Sequence, residues 1–422
     1  MKNRKLPEGW KVDRLGKVFL LIRNGANIKQ GKQQGGYPIT RIETIANSRI
    51  DINKVGYAGI YELGKYSDYL LEEGDILMSH INSEKHLGKT AIYENCELNM
   101  IHGMNLLCLR SNKKFILPKY VYYYFNSVKF KMQLPKIIKK SVNQASFSIN
   151  DLKYLKVIIP PLETQNEIVQ ALEKAEDALK KKREAIRLLD ELVKSRFIEM
   201  FGDPVKNPKG WKIKQLKEII LLMNNGLARR GNDNNGNIVL RLIELQNGYI
   251  DYNSPNRIKL SEDEQKRYLL KDGDFLFARV NGNPNNVGRC AYYKEIGEPV
   301  YHNDHIIRVR LDTNIVNNDY VSILLNNSYG KLQMKNKLKT SAGQYTINQT
   351  GISEIKITVP PIQLQNQFAD FVKQADKLKF EMEKSLKKLE DNFNSLMQRA
   401  FNGELEFNSQ FAMDNSQLKM DK

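Results

Sequence analysis

The chain has 422 residues, with 66 Lys+Arg against 48 Asp+Glu and a net charge of +18. That excess favours a polyanionic partner such as DNA or RNA, although a generally Lys-rich composition gives the same figure. Its 41% hydrophobic content suffices for real cores, yet no apolar run reaches membrane-spanning length and the three scattered cysteines (Cys96, Cys108, Cys290) imply no disulfide framework.

Met1 to Pro7 lacks the apolar core of a signal peptide, so a cytoplasmic protein with no membrane partner is expected. Next, Pro7-Glu8-Gly9-Trp10 opens an apolar stretch, predicted as a helix, that stops at Asn24-Gly25. Two hundred residues on, Pro208-Lys209-Gly210-Trp211 opens a similar stretch that stops at Asn225-Gly226. The parallel continues along the chain. Gly74-Asp75-Ile76-Leu77 returns as Gly273-Asp274-Phe275-Leu276, each a Gly-Asp turn feeding a buried strand. His102 with Leu106 to Arg110 returns as His302 with Ile306 to Arg310, and Tyr120-Val121 and Tyr320-Val321 mark short helices. The period is far too long for a solenoid repeat. It is one unit written twice. The copies differ most between Asn24 and Arg41, between Ser79 and Gly88 and from Lys129 to Ser141, where a duplicated binder reading two targets is expected to vary.

Each copy ends in the same way. Val157-Ile158-Ile159 stops at Pro160-Pro161, and Ile168, Leu172, Ala175, Leu179, Ile186, Leu189 and Val193 then repeat at helical spacing. In the second copy Val359-Pro360-Pro361 precedes Phe368, Val372, Ala375, Leu378, Met382, Leu386 and Leu389. The stripes fall close to coiled-coil a and d positions and run to Gly202 and Gly403, which predicts two rods of about 60 Å packed on each other. The expected division is 1–159, first globular domain; 160–202, first rod; 203–359, second globular domain; 360–403, second rod; and 404–422, a polar tail.

The catalytic motifs fail on inspection. Ser83 to Thr90 resembles a phosphate-binding loop, but Ser83 stands where its first Gly belongs and the second copy lacks the Lys and the hydroxyl. The methyltransferase signature Asp/Asn-Pro-Pro-Tyr is absent, and Cys96, His102 and Cys108 lack the pair spacing of zinc sites. Basic and amide residues in turn-rich stretches are better candidates. Arg and Lys can neutralise phosphates or bond guanine edges, and Asn and Gln can pair with adenine edges. In the first copy these are Arg41, Lys89, Lys139, Lys140, Asn143 and Gln144. In the second they are Arg229, Arg230, Arg241, Arg279, Asn281, Asn283, Arg289, Gln344 and Tyr345. Any one cluster alone is more often a solvated loop than a contact; several together on so basic a chain point to DNA for some of them.

The paired Pro-Glu-Gly-Trp and Pro-Lys-Gly-Trp openings, the Gly-Asp-Ile-Leu and Gly-Asp-Phe-Leu strands, and Ile-Pro-Pro-Leu-Glu-Thr-Gln with Val-Pro-Pro-Ile-Gln-Leu-Gln together resemble the specificity subunits of type I restriction–modification systems. The resemblance covers nearly all of residues 1–402; Gln363 stands where the first copy has the acidic Glu163. It implies an α+β architecture of two duplicated mixed α/β target-recognition domains joined by two long antiparallel coiled-coil helices. Each domain would read one half of a bipartite DNA target. The helices would fix the gap, one turn of DNA being about 34–36 Å, and dock two modification subunits. S-adenosylmethionine, ATP and Mg would belong to modification and restriction subunits, leaving this chain non-catalytic. A protein scaffold built on the helix pair is the other reading, but it leaves the charge and the duplicated globular parts without a purpose.

Overall fold

The computed structural model describes residues 6–29, 35–46, 48–94, 98–141, 144–341 and 343–405. Cys96, Asn143 and the expected tail from residue 406 onward lie outside the described residues. The chain forms two compact units, Met1–Lys182 with Ser385–Lys422 and Arg183–Lys384.

In unit 1 the chain leaves Trp10 as the strand Lys11–Arg14, which pairs antiparallel with Lys156–Ile159, Lys11 opposite Ile159. The start of the domain is thereby fastened to the strand that leads into Pro160-Pro161. A four-stranded antiparallel sheet follows, in the order Phe19–Asn24, Leu106–Ser111, Ile76–Ser79, Thr90–Ile92. Its central strand Ile76–Ser79 is buried along its whole length, as a continuous apolar run predicts. The helix Pro118–Asn126 covers one face, burying Tyr120, Tyr124 and Phe125 almost completely. Proline at its first position needs no N–H there and presets the helical φ.

Unit 2 repeats this plan. Lys212–Gln215 pairs with Lys356–Val359, and the sheet runs Ile220–Asn225, Ile306–Leu311, Phe275–Ala278, Cys290–Tyr292. The helix Asn318–Asn326 again covers it, with Tyr320 wholly buried. Unit 2 also has a three-stranded sheet in which Asn237–Leu240 pairs antiparallel with Arg257–Ile258 and parallel with Val300–His302. At the matching place unit 1 shows isolated bridges, Ile39 to Ile101 and Ile39 to Gly56.

The apolar stretches after the two tryptophans do not form the predicted helices. Only Leu15–Val18 makes a single helical turn in unit 1, and Leu216–Glu218 a single 3₁₀ turn in unit 2; the rest is strand. A short apolar run does not by itself distinguish helix from strand. Here the edge of Leu106–Ser111 supplies the backbone partners that decide it, Ile22 lying opposite Leu109.

Two long helices, Leu162–Phe201 and Ile362–Asn402, each divide between the units. In unit 1, Ile168, Val169 and Leu172 of the first helix and Met397, Ala400 and Phe401 of the second enter the domain core itself. In unit 2 the roles exchange, with Phe197 and Phe201 beside Phe368 and Val372. Within unit 2 the two helices run antiparallel. Lys379 Nζ meets Asp190 at 2.7 Å, and the Phe368 ring lies 5.6 Å from Phe197 and 5.3 Å from Phe201. The ends of the rods are thus components of the domain cores. Gly202 and Gly403 stop the helices with φ of +80° and +70°, a conformation costly for residues with a side chain.

Candidate nucleic-acid interface

The candidates in unit 2 converge on the turn at 303–305 and a small sheet beside it. Arg279 leaves the strand Phe275–Ala278 and is fixed by its backbone, its N–H donating to His305 O at 2.8 Å and its carbonyl accepting from Ile347 N at 2.9 Å. Its guanidinium reaches Asp304 O at 3.4 Å. Arg230 lies over the same turn, 2.8 Å from Asp304 Oδ1 and 3.0 Å from His305 Nε2. The chain then forms Val280–Asn281, paired with Gln344–Thr346 so that Asn281 sits opposite Tyr345; Lys339–Ser341 completes the sheet. Asn281 Oδ1 accepts from Asn283 N at 2.9 Å and Asn283 Oδ1 from Asn285 N at 3.0 Å. With one oxygen lone pair of each amide committed to the turn, the –NH₂ donors are what remain for an acceptor outside. Arg230 and Arg279 thus meet at the 304–305 turn, Asn281 and Tyr345 face each other across the small sheet beside it, the exposed Gln344 adjoins Tyr345, and Asn283 caps the turn that follows.

The remaining candidates in unit 2 have internal work. Arg229 clamps Glu264 through two bonds of 2.7 Å and also donates to Lys259 O. With the backbone of Ser261, it holds the Glu264 carboxyl down to about 2. Arg241 closes the 241–244 turn on the buried Glu244, 2.6 Å from Nη2 to Oε1. Arg289 donates to Leu242 O from the other side of that turn, and its buried Nε has no partner. Burial draws this guanidinium below its usual range.

Unit 1 builds a sheet of the same kind from Ile81–Asn82, Ala145–Ser146 and Lys139–Lys140. Lys139 approaches Asp151 at 3.5 Å and Lys140 approaches Glu84 at 2.8 Å, while both lysines stay exposed. Gln144 carries an exposed side chain, and its carbonyl closes the hairpin by accepting from Ser141 N at 2.8 Å. Asn143, beside it in sequence, lies outside the described residues. Arg41 and Lys89 flank the turn that matches 241–244: Arg41 N donates to Thr44 Oγ1 at 2.8 Å and Lys89 Nζ to Ala46 O at 3.3 Å. Where unit 2 presents Arg279, unit 1 has the buried His80, whose carbonyl accepts from Phe147 N at 3.1 Å as that of Arg279 accepts from Ile347 N. The two faces share a backbone plan and differ in chemistry.

A family model described as the type I restriction modification DNA specificity domain matches the chain twice, over residues 7–187 and 208–391. The chain belongs to this family. Each match takes in one globular domain and most of the long helix that follows it, so the duplication seen in the residues is a duplication of the specificity domain. The StySPI specificity subunit of Salmonella potsdam is 28% identical over 96% of this chain and 91% of its own length. The EcoKI specificity subunit of Escherichia coli is 26% identical over the same shares. A protein of Methanocaldococcus jannaschii named for the MjaX specificity subunit is 42% identical, but over 51% of each chain, so this chain spans about half the length of that relative. Among solved structures, the S subunit of the type I restriction–modification system of M. genitalium has a TM-score of 0.55 at 14% identity, covering 97% of this chain and 99% of that one. A chain from work on assembly and conformational transition of the type I R-M system reaches 0.59 at 16%, covering 95% and 100%. At those identities the likeness is one of fold.

Both specificity domains rest on anchors that are identical in the two copies and that the sequence alone did not single out. Gln165, in the first turn of the long helix, is fully buried. Its Nε2 donates to Phe115 O and Pro160 O, both at 2.9 Å, and its Oε1 accepts from Leu117 N at 2.8 Å. Gln365 repeats this, donating to Ile315 O and Pro360 O and accepting from Asn317 N. Asp75 and Asp274, expected as turn residues, are buried and take paired bonds of 2.7–2.8 Å from Arg110 and Arg310. The signal that could have found them is identity across the duplication at a polar position, which marks a shared internal interaction when the exposed loops around it diverge.

Among the described residues no helix is long and apolar enough to cross a membrane.

Proposed function

We propose that this chain is the DNA-reading subunit of a type I restriction–modification complex. Each specificity domain reads one half of a bipartite target. The observation that carries the proposal is the repeated face: a three-stranded sheet of basic and amide residues, built on the same backbone in both units but with different side chains. One architecture bearing two chemistries suits two different half-sites. In unit 2, Arg230, Arg279, Asn281, Asn283, Gln344 and Tyr345 are the reading group, with Arg229, Arg241 and Arg289 shaping the loops that carry them. In unit 1, Lys139, Lys140, Gln144 and Asn143 take that place, with Arg41 and Lys89 as the loop supports.

The long helices set the gap between half-sites and offer the docking surface for two modification subunits, to which restriction subunits join. S-adenosylmethionine is bound and adenine methylated by the modification subunits, and ATP and Mg serve the restriction subunits. This chain is non-catalytic and works in the cytoplasm, where its DNA is. Arg279 is well suited to bond a guanine edge through both nitrogens. Arg279→Ala is expected to relax the sequence preference at one position of one half-site, at a cost of about 1–3 kcal/mol, and to leave the other half-site unchanged. Selection of bound duplexes from a random library by the assembled complex measures both. Equal loss of preference in both half-sites would contradict the assignment.

A further inference from the structure

A cavity of about 420 Å³ opens in unit 2 beside the loop that carries Asn283. Asn283 caps the turn Pro284–Asn286 by accepting from Asn285 N, and Pro284 and Asn285 are themselves part of the cavity wall. Three cations line it, Arg289, Lys331 and Lys335, together with the neutral amides Asn247, Asn285 and Asn326; no lining residue is acidic. Among the described residues none of the three cations makes an ion pair with a carboxylate. Arg289 spends Nη2 on Leu242 O and has a buried Nε without a partner. A buried donor left without a partner costs free energy that a ligand oxygen would recover. Leu325, Leu332 and Met334 complete the wall with an apolar side.

Three like charges around one concavity repel one another unless an anion neutralises them, and the walls besides are apolar or neutral. From this we infer that the cavity is a phosphate site: it holds a phosphodiester of the bound DNA, with Lys331 and Lys335 on the phosphate oxygens, Arg289 Nε behind them and the sugar against the apolar side. The inference rests on the reading of unit 2 as a DNA-recognition domain and adds a sequence-independent anchor to it. Phosphate contacts fix register on the duplex and carry no base information. Unit 1 keeps two of the three cations, Lys89 for Arg289 and Lys131 for Lys331, but neither the third nor the neutral wall. In unit 1 the matching positions hold Glu84 in place of Pro284 and Pro135 in place of Lys335, and Glu84 already pairs with Lys140.

The test uses the full chain assembled with its modification subunits and a duplex carrying the selected target. Removing one cation from a DNA phosphate lowers the slope of log affinity against log salt by about 0.9. The exposed pair Lys331→Ala and Lys335→Ala is expected to weaken binding, to lower that slope by about 1.8 and to leave the preferred sequence of both half-sites intact. Lys331→Arg with Lys335→Arg, which keeps the charge, is expected to restore the slope. An unchanged slope in the alanine variant, while the wild-type complex still reads its target, overturns the phosphate site and spares the reading function. A wild-type complex with no sequence preference overturns both. A changed sequence preference with an unchanged slope would make the lysines base-reading groups and likewise overturn the inference.

Discussion

Gln165 and Gln365 tie three separated pieces of backbone together: the strand end before Pro-Pro, the first turn of the long helix and the loop that opens the sheet-covering helix. Gln165→Ala leaves Leu117 N–H and two carbonyls buried without partners, each such group costing about 1–3 kcal/mol when water does not replace the bond. A loss of about 2–4 kcal/mol is expected in a denaturant titration of unit 1, with the unit 2 transition unmoved. This buried role was hidden in the sequence because a glutamine in the first helical turn is ordinarily solvated, and two of its partners, Phe115 and Leu117, lie far upstream. The two matched histidines make a second test. Burial holds His102 down to about 4 and His302 down to about 3, against an ordinary 6.5. Unfolded chains therefore take up a proton first as pH falls, and the folded state loses stability from pH 6.5 downward until its own value is reached. The full loss at His102 is about 3 kcal/mol. Chemical denaturation between pH 7 and pH 4 is expected to show this fall, and His102→Gln to remove the His102 share of it while that of His302 remains.

At the scale of elements, the Pro-Pro turns, the long helices and the short helices at Tyr120 and Tyr320 were legible, because long periodic stretches bounded by Pro and Gly leave little freedom. The strands Phe19–Asn24 and Ile220–Asn225 were not, since what decides them is the edge of Leu106–Ser111 or Ile306–Leu311, far along the chain. The helix ends were half-legible. Their apolar spacing showed a stripe, while the aromatic character of Phe197, Phe201 and Phe401 held the further information that these ends enter a core. Phe401 lies edge-on, with ring centroids 5.4 Å away, to both Tyr120 and Tyr124. Phe401→Ala is expected to destabilise unit 1 by about 3–5 kcal/mol, the usual cost of emptying an aromatic site in a packed core. Thermal denaturation followed by tryptophan fluorescence would check it, since Trp10 packs on the same cluster. A change below about 1 kcal/mol would mean that the helix end is not part of the core.

For the whole molecule, the duplication was the most informative feature of the sequence. It separated what both copies need from what each uses for itself. Residues the copies share proved to be core and anchors. Among the candidates of unit 2, the structure brings Arg230 and Arg279 to the 304–305 turn beside the sheet that carries Asn281 and Tyr345, and it spends Arg229 and Arg241 on Glu264 and Glu244 in loops elsewhere. That division was not legible, because an arginine in a loop reads the same whether its partner is a phosphate or a glutamate. On the proposed function, two readers on one chain address a split target. Co-expression with the neighbouring modification subunit, followed by genome-wide mapping of methylated adenines, tests it most directly. A motif in two halves with a fixed gap, present only when this chain is present, is the expected result. A folded complex that methylates nothing, or one that methylates a continuous motif indifferent to this chain, would contradict it.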